Sequence, residues 1–463
     1  MPLRSAGTLR SVLLATSIAL LASPLAAQTT RDLSDMYNLA LERDPVLQAA
    51  RNRLRASQEL TPQARALFLP EVNLDAEANR NWETIDGTPA FGDLAAPGTS
   101  DSQSLTYNAW SAGISLTQPL FRMESFALRD QAAIVLDQSS LQFAEVQQDL
   151  LLRVSEAYFD VLLAQDQVGT LEAEQRAIDT ELRRARRALD VGTGTVTDVN
   201  EAQARFDLVE ARILRARNTL TIARENLRRL IGEQPGTLAG LRDDFSAEPP
   251  APTDPAAWAD RAERYNISVR LAQRDFDRAR EEIRVQRAGH YPRVDFVARH
   301  GRNYQSDSQQ FDGSFDTEVS SIGIRLQMPL FAGGATSSQV RQAEAERDAF
   351  FDDTVDARRQ AALQAESTYL NLASNQREIS ALEQALRSIR STEESTRRGV
   401  EVGLRTTLDL LNVQRDRFET ERELAQARYE YLLNYLRLQV AVGSGIDGSS
   451  IDDVNFFLTR DAD

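Results

Sequence analysis

The sequence contains no cysteine, which excludes disulfides, thiolate metal sites, thiol nucleophiles and a lipid anchor on an N-terminal cysteine. It contains no lysine either, so all 53 basic residues are arginine. The only histidines are His290 and His300, and neither reads as a ligand. No Ser/His/Asp set, phosphate loop or carboxylate spacing suited to a metal is present. Positive charge is in deficit: 69 acidic residues give a net charge of −16, which argues against a nucleic-acid binder. An acidic, lysine-free chain fits a GC-rich genome or a salt-adapted host, and bears on solubility rather than fold. After the first 27 residues no uninterrupted apolar run is long enough for a transmembrane helix. A mature chain that crosses a membrane must therefore do so with strands.

What is present is a duplication. VGTGTVTDVNEAQARF (191–206) and VGLRTTLDLLNVQRDRF (402–418) are two versions of one glycine turn between helical runs. Gly192 and Gly403 stand 211 positions apart, as do Asp198 and Asp409. Repetition on this scale points to a tubular architecture rather than an enzyme core. The expected layout is a leader over 1–27, a first repeat over 28–240, a linker over 241–257, a second repeat over 258–443 and a tail over 444–463. In the leader, Arg4 and Arg10 precede an apolar run from Val12 to Leu21, and cleavage is expected near Ala27–Gln28. The tail after Gly443 is expected to be irregular.

Four prolines mark strands. Val72, Leu74, Ala76 and Ala78 alternate with polar residues after Pro70, and Trp110, Ala112, Ile114 and Leu116 form an apolar face before Pro119. In the second repeat Val294, Phe296 and Ala298 follow Pro292, and Ile322, Ile324, Leu326 and Met328 precede Pro329. Each segment, about ten residues long, suits a tilted strand of an outer-membrane barrel. Trp110, Phe121 and Phe331 suit either aromatic belts or ordinary packing. Four strands cannot close a barrel, so the sheet is soluble or several chains share one; three chains would supply twelve strands.

The remainder is helical. Val154, Ala157, Val161, Ala164, Val168, Leu171, Gln175, Ile178, Leu182, Ala185 and Leu189 alternate steps of 3 and 4, with one polar interruption. Val199, Ala202, Phe206, Val209 and Ile213 begin the returning stripe, which predicts an antiparallel coiled coil. An arm from Pro119 to Gly192 would be about 100 Å long. The two shorter helices of the first return are expected to stack end to end. By symmetry, an N-terminal helix from Leu33 to Phe68 is expected to stack on the arm that ends near Val442.

With these motifs in view, the chain resembles the TolC family of outer-membrane efflux and secretion channels. VGLRTTLDLLNVQRDRFETERELAQARYEYLLNYLRLQVAVG (402–443) carries the strongest likeness, supported by DVGTGTVTDVNEAQARFD (190–207), HYPRVDF (290–296) and PLFAGG (329–334). The resemblance implies a mainly α fold with a β-barrel part: a homotrimer sharing a twelve-stranded transmembrane barrel, with a coiled-coil tunnel reaching into the periplasm. It implies a passive exit duct in the outer membrane. Its partners would be a periplasmic adaptor protein and an inner-membrane pump or ABC transporter, with no cofactor. The competing reading is a periplasmic coiled-coil adaptor or structural protein without a channel.

The same resemblance assigns site residues. Arg405 matches an arginine that bonds the first-repeat turn and keeps the tip shut, with Thr197 and Asp198 as its partners. Helix N-capping is the alternative role for that pair. An aromatic hydroxyl often seen in this network is replaced by Val400. Asp409 matches a pore-facing aspartate, whose threefold ring would favour cations and raise its own pKa by repulsion. Asn412 stands where relatives carry a second acidic ring. Gly192 and Gly403 are expected to permit the turns.

Overall fold

Two helices of unusual length set the dimensions of the molecule. The computed structural model describes residues 30–86, 102–242, 244–306, 313–444 and 449–459. The expected leader and the middles of both strand-connecting loops lie outside the described residues. The N-terminal region is α1 (Leu33–Arg43), α2 (Pro45–Gln58) and α3 (Leu60–Ala66), followed by strands β1 (Glu71–Asp86) and β2 (Ser102–Arg122). Then come α4 (Met123–Asp190) and α5 (Val196–Ile231), a short β3 (Gly240–Leu241), α6 (Pro255–Tyr265) and α7 (Ile267–Ala288). The second strand pair is β4 (Arg293–Gln305) and β5 (Phe315–Gln327). The second long hairpin is α8 (Ala335–Glu401) and α9 (Thr407–Ala441), and α10 (Ser449–Asn455) and β6 (Leu458–Thr459) are the last described elements. No helix among the described residues is long and apolar enough to cross a membrane.

The expected single N-terminal helix is broken, because Asp44 ends α1 and caps α2 by accepting from the Leu47 amide, with Pro45 as the first helical residue. The stacking expectation also needs correction. The end of α5 meets the α1/α2 junction, where Glu233 takes Arg31 at 2.8 Å and also pairs with Arg43. The end of α9 meets the α6/α7 junction, where the Asn266 amide donates to the Ala441 carbonyl at 2.9 Å. Each long return thus meets the helix at the start of its own repeat. The reasons are local: at α9 a C-terminal carbonyl takes a donor from the α7 cap, and at α5 the Glu233 carboxylate gathers two arginines of the N-terminal segment.

The four long strands form one antiparallel sheet in the order β1-β2-β4-β5. β2 pairs with β4 across the repeats, a junction invisible in either repeat alone. β2 does not stop at Pro119 as expected. It continues to Arg122 through an irregularity between Pro119 and Phe121. Proline lacks an N–H, and a bulge is where a strand tolerates it. The extra residue also turns Phe121 onto the side of Val294, its register partner. One face of the sheet carries Val72, Leu74, Ile114, Leu116, Phe296, Ile324 and Leu326; the other carries Glu71, Asp75, Glu77, Ser115 and Arg299. The apolar face is open, with Leu74 78 % and Ile322 81 % exposed. Phe121 and Phe331 lie at its helical end, and Trp110 stacks on Tyr304 toward the other, with centroids 5.9 Å apart.

The main core lies at the waist. Tyr158, Leu150, Leu227, Ile231, Trp258, Leu372, Leu432 and Leu436 pack there, and the Tyr158 hydroxyl donates to the Ala239 carbonyl at 2.7 Å. Residues 449–459 of the expected irregular tail form regular structure. β6 pairs with β3, Ile451 and Val454 are buried in the waist core, and Asn455 accepts from the Leu33 amide.

Candidate functional site at the hairpin tips

The lower ends of the two hairpins are built alike. α4 ends at Val191 and Gly192 takes φ +78°; α8 ends at Val402 and Gly403 takes φ +77°. Only glycine adopts that conformation without steric cost, so the turn role of Gly192 and Gly403 follows from backbone geometry. The next helix begins with a capping box in each case. The Asp198 amide donates to Thr195 Oγ1 and the Thr195 amide returns to Asp198; Thr406 and Asp409 repeat the pair.

The turns differ at two matched positions. In the first, the amides of Thr193 and Gly194 both donate to the Ala188 carbonyl; in the second, Leu404 and Arg405 both donate to Gly399. Alanine faces glycine in one turn, and glycine faces arginine in the other. A Cβ on Gly194 would lie 2.9 Å from the Ala188 methyl, and a Cβ on Gly399 would lie 2.8 Å from Arg405 Cγ. Gly399 is therefore the vacancy that admits the Arg405 side chain.

Arg405 and Thr197 are both exposed, and no hydrogen bond or ion pair joins Arg405 to Thr197 or Asp198 within one chain. Asp198 is occupied by its cap. Asp409 is also held by its cap: hydrogen bonds from Thr406, aided by the nearby Arg405 charge, hold its carboxyl below the usual aspartate range. This bias within one chain runs opposite to the rise that a repelling ring would produce.

Between the hairpins the structure brings together residues that the sequence did not single out. Leu411 of α9 inserts into a cluster of Leu171, Ile178, Leu182, Ala202, Val209 and Ile213 from the first hairpin. Beside it, Arg205 of α5 donates to Asn412 Oδ1 at 2.6 Å. Higher up, the buried Glu174 accepts from Arg422 of α9 at 3.2 Å and lies 3.9 Å from Arg212 of α5. The signal for Glu174 was present, because steps of 3 then 4 from Leu171 to Ile178 select Glu174 instead of Gln175. No group of three His, Asp or Glu side chains able to hold a metal occurs among the described residues.

Comparison with known proteins fits this geometry. Residues 36–233 and 258–444 match the family described as outer membrane efflux protein. The chain is 32 % identical to the alkaline protease secretion protein AprF of Pseudomonas aeruginosa, over 89 % of this chain and 84 % of that protein. It is equally identical, at 32 %, to the outer membrane protein TolC of Vibrio cholerae, over 92 % of this chain and 93 % of the relative. Among solved structures, the outer membrane protein VceC of Vibrio cholerae superposes with a TM-score of 0.71 at 19 % identity, covering 89 % of this chain and 96 % of that one, a likeness of fold.

Proposed function

The chain belongs to the outer membrane efflux protein family, the exit ducts of the outer membrane, and from that premise we propose that three copies close into one channel. The observation that carries the trimer is a pair of open edges in each layer. Among the described residues the sheet ends in β1 on one side and β5 on the other, with no further strand paired to either. In the helical layer α4 packs on α5 and α9, and α9 packs on α8, which leaves α5 and α8 outermost. These flanks expose Leu208, Leu214 and Ile222 on α5, and Phe351, Leu363 and Leu370 on α8. In both layers a first-repeat edge faces a second-repeat edge of the next copy. Such a head-to-tail contact closes as a ring, and three four-stranded sheets make a twelve-stranded barrel.

In this reading the apolar face meets outer-membrane lipid and the polar face lines the lumen. The tunnel hangs into the periplasm, and the apolar tip residues Val191, Val196, Val402 and Leu404, 59 to 81 % exposed, meet a periplasmic adaptor. An inner-membrane pump or ABC transporter supplies the energy. Cargo comprises small toxic molecules, secreted proteins or both, the second suggested by the name of the secretion relative. Arg405 gates the tip by bonding the first-repeat turn, Thr197 and Asp198, of an adjacent copy, and Asp409 and Asn412 stand at the constriction.

The test is single-channel recording of the purified protein in a planar bilayer. Small cation-permeable currents are expected, and Arg405→Ser should raise the conductance severalfold. A folded protein that never inserts would favour a coiled-coil adaptor without a channel. An unchanged conductance in Arg405→Ser would remove that residue from the gate.

A further inference from the structure

The link between Arg205 and Asn412 carries a consequence for what passes the constriction. Asn412 is an amide, so it accepts the guanidinium's hydrogen bond without cancelling its charge. No carboxylate lies within ion-pair distance of Arg205 among the described residues. Neighbouring arginines between the helices differ: Arg184, Arg397 and Arg422 each meet Glu181, Glu393 or Glu174. Gln203, two residues earlier on α5, is already engaged by Arg186 and Asp207. The Arg205 charge therefore meets no carboxylate, and the residue it bonds stands one helical turn along α9 from Asp409.

We propose that Arg205 is a specificity-determining residue of the pore: it holds Asn412 in place and offsets the Asp409 carboxylate. The inference rests on the duct reading above. Each chain then contributes the Asp409 charge, with Arg405 beside it, and a further positive charge from Arg205 at the level of Asn412. Rings of charge set ion selectivity through their net field. The expected channel discriminates only weakly between small cations and anions, and lets anionic cargo through a tip that Asp409 alone would bar.

The test is the cation-to-anion permeability ratio, read from reversal potentials under a salt gradient for the full-length protein and for Arg205→Gln. Glutamine keeps a donor for Asn412 and removes the charge. The ratio should rise about tenfold, as expected for deleting one unit charge about 10 Å from the ion path at a protein surface. Arg205→Lys should leave the ratio unchanged. Asn412→Asp, which neutralises Arg205 from the other side, should raise it and covers the case in which Arg205→Gln fails to assemble. Normal conductance with an unaltered ratio in both charge-changing variants would overturn the assignment. Absence of any wild-type conductance would instead sink the duct reading, and this inference with it.

Discussion

The lower halves of the two hairpins share a backbone and differ in what they bury. The first is seamed by Leu171, Ile178, Leu182, Ala202, Val209 and Ile213, an apolar cluster of its own. At matched depth the second buries Leu410 and Phe418 together with Glu393, Thr396, Gln414 and Thr420, and lends Leu411 to its neighbour's cluster, whereas the polar groups buried in the first are Glu174 and Glu181. An apolar seam loses its stabilisation when water enters, whereas polar pairs exchange partners with water for a small net change. The first hairpin thus joins its arms through one apolar seam, and the second mixes apolar contacts with a larger share of polar ones.

The comparison can be broken or sharpened by mutation. The largest effect should come from Leu182→Ala, which opens a cavity in the apolar seam and should cost about 2–4 kcal/mol, read as a fall in thermal or denaturant stability of the assembled protein. Thr420→Ala in the second hairpin, at the position that matches Val209 of the first seam, should cost less than about 1 kcal/mol; equal losses would erase the distinction. Next come the caps. Thr406→Ala and Thr195→Ala should each cost about 1 kcal/mol locally, detected as faster amide exchange in the first turns of α9 and α5. Only the Thr406 change should also raise conductance, because it frees Asp409 beside Arg405. Gly399→Ala should gain helix propensity by about 0.5–1 kcal/mol yet push Arg405 out of its place. Higher stability with a leakier tip is the expected signature, and unchanged conductance would show that Arg405 does not depend on that vacancy.

The smallest effect is on pH. Because the cap holds the Asp409 pKa below its unfolded value, the charge stabilises the folded turn fully above that unfolded value. The contribution is lost as pH falls through the folded pKa, so the window lies below about pH 4. Amide exchange at the start of α9, corrected for intrinsic rate, should accelerate there in the native protein but not in Asp409→Asn.

Much of this was legible in the chain. Periodicity 2 beside four prolines located the strands, and steps of 3 and 4 located the hairpins. Composition could not show that β2 pairs with β4, because register between repeats depends on how the helices carry the strands. Pro119 misled as a strand end, since a bulge absorbs it. The glycine turns and the first-turn aspartates were readable from local chemistry. Arg205, Leu411 and Arg422 were not, because each matters through a partner on the other hairpin, about 200 residues away in sequence. The tail was underestimated because its apolar residues, Ile451, Val454 and Leu458, are too few to form a periodic pattern.

The open flanks of the sheet also constrain how the protein is made. Strand-edge amides and carbonyls that meet no neighbouring strand, as along the outer edges of β1 and β5 among the described residues, cost several kcal/mol per group in hydrocarbon. If the proposed trimer forms, a lone chain would have no stable lipid-embedded state, and insertion would wait until each edge met a sister subunit. Biogenesis becomes steeply dependent on the concentration of chains at the membrane. One subunit with a defective edge would then poison the complex it joins, so such an allele would act dominantly in a cell that also makes the normal protein.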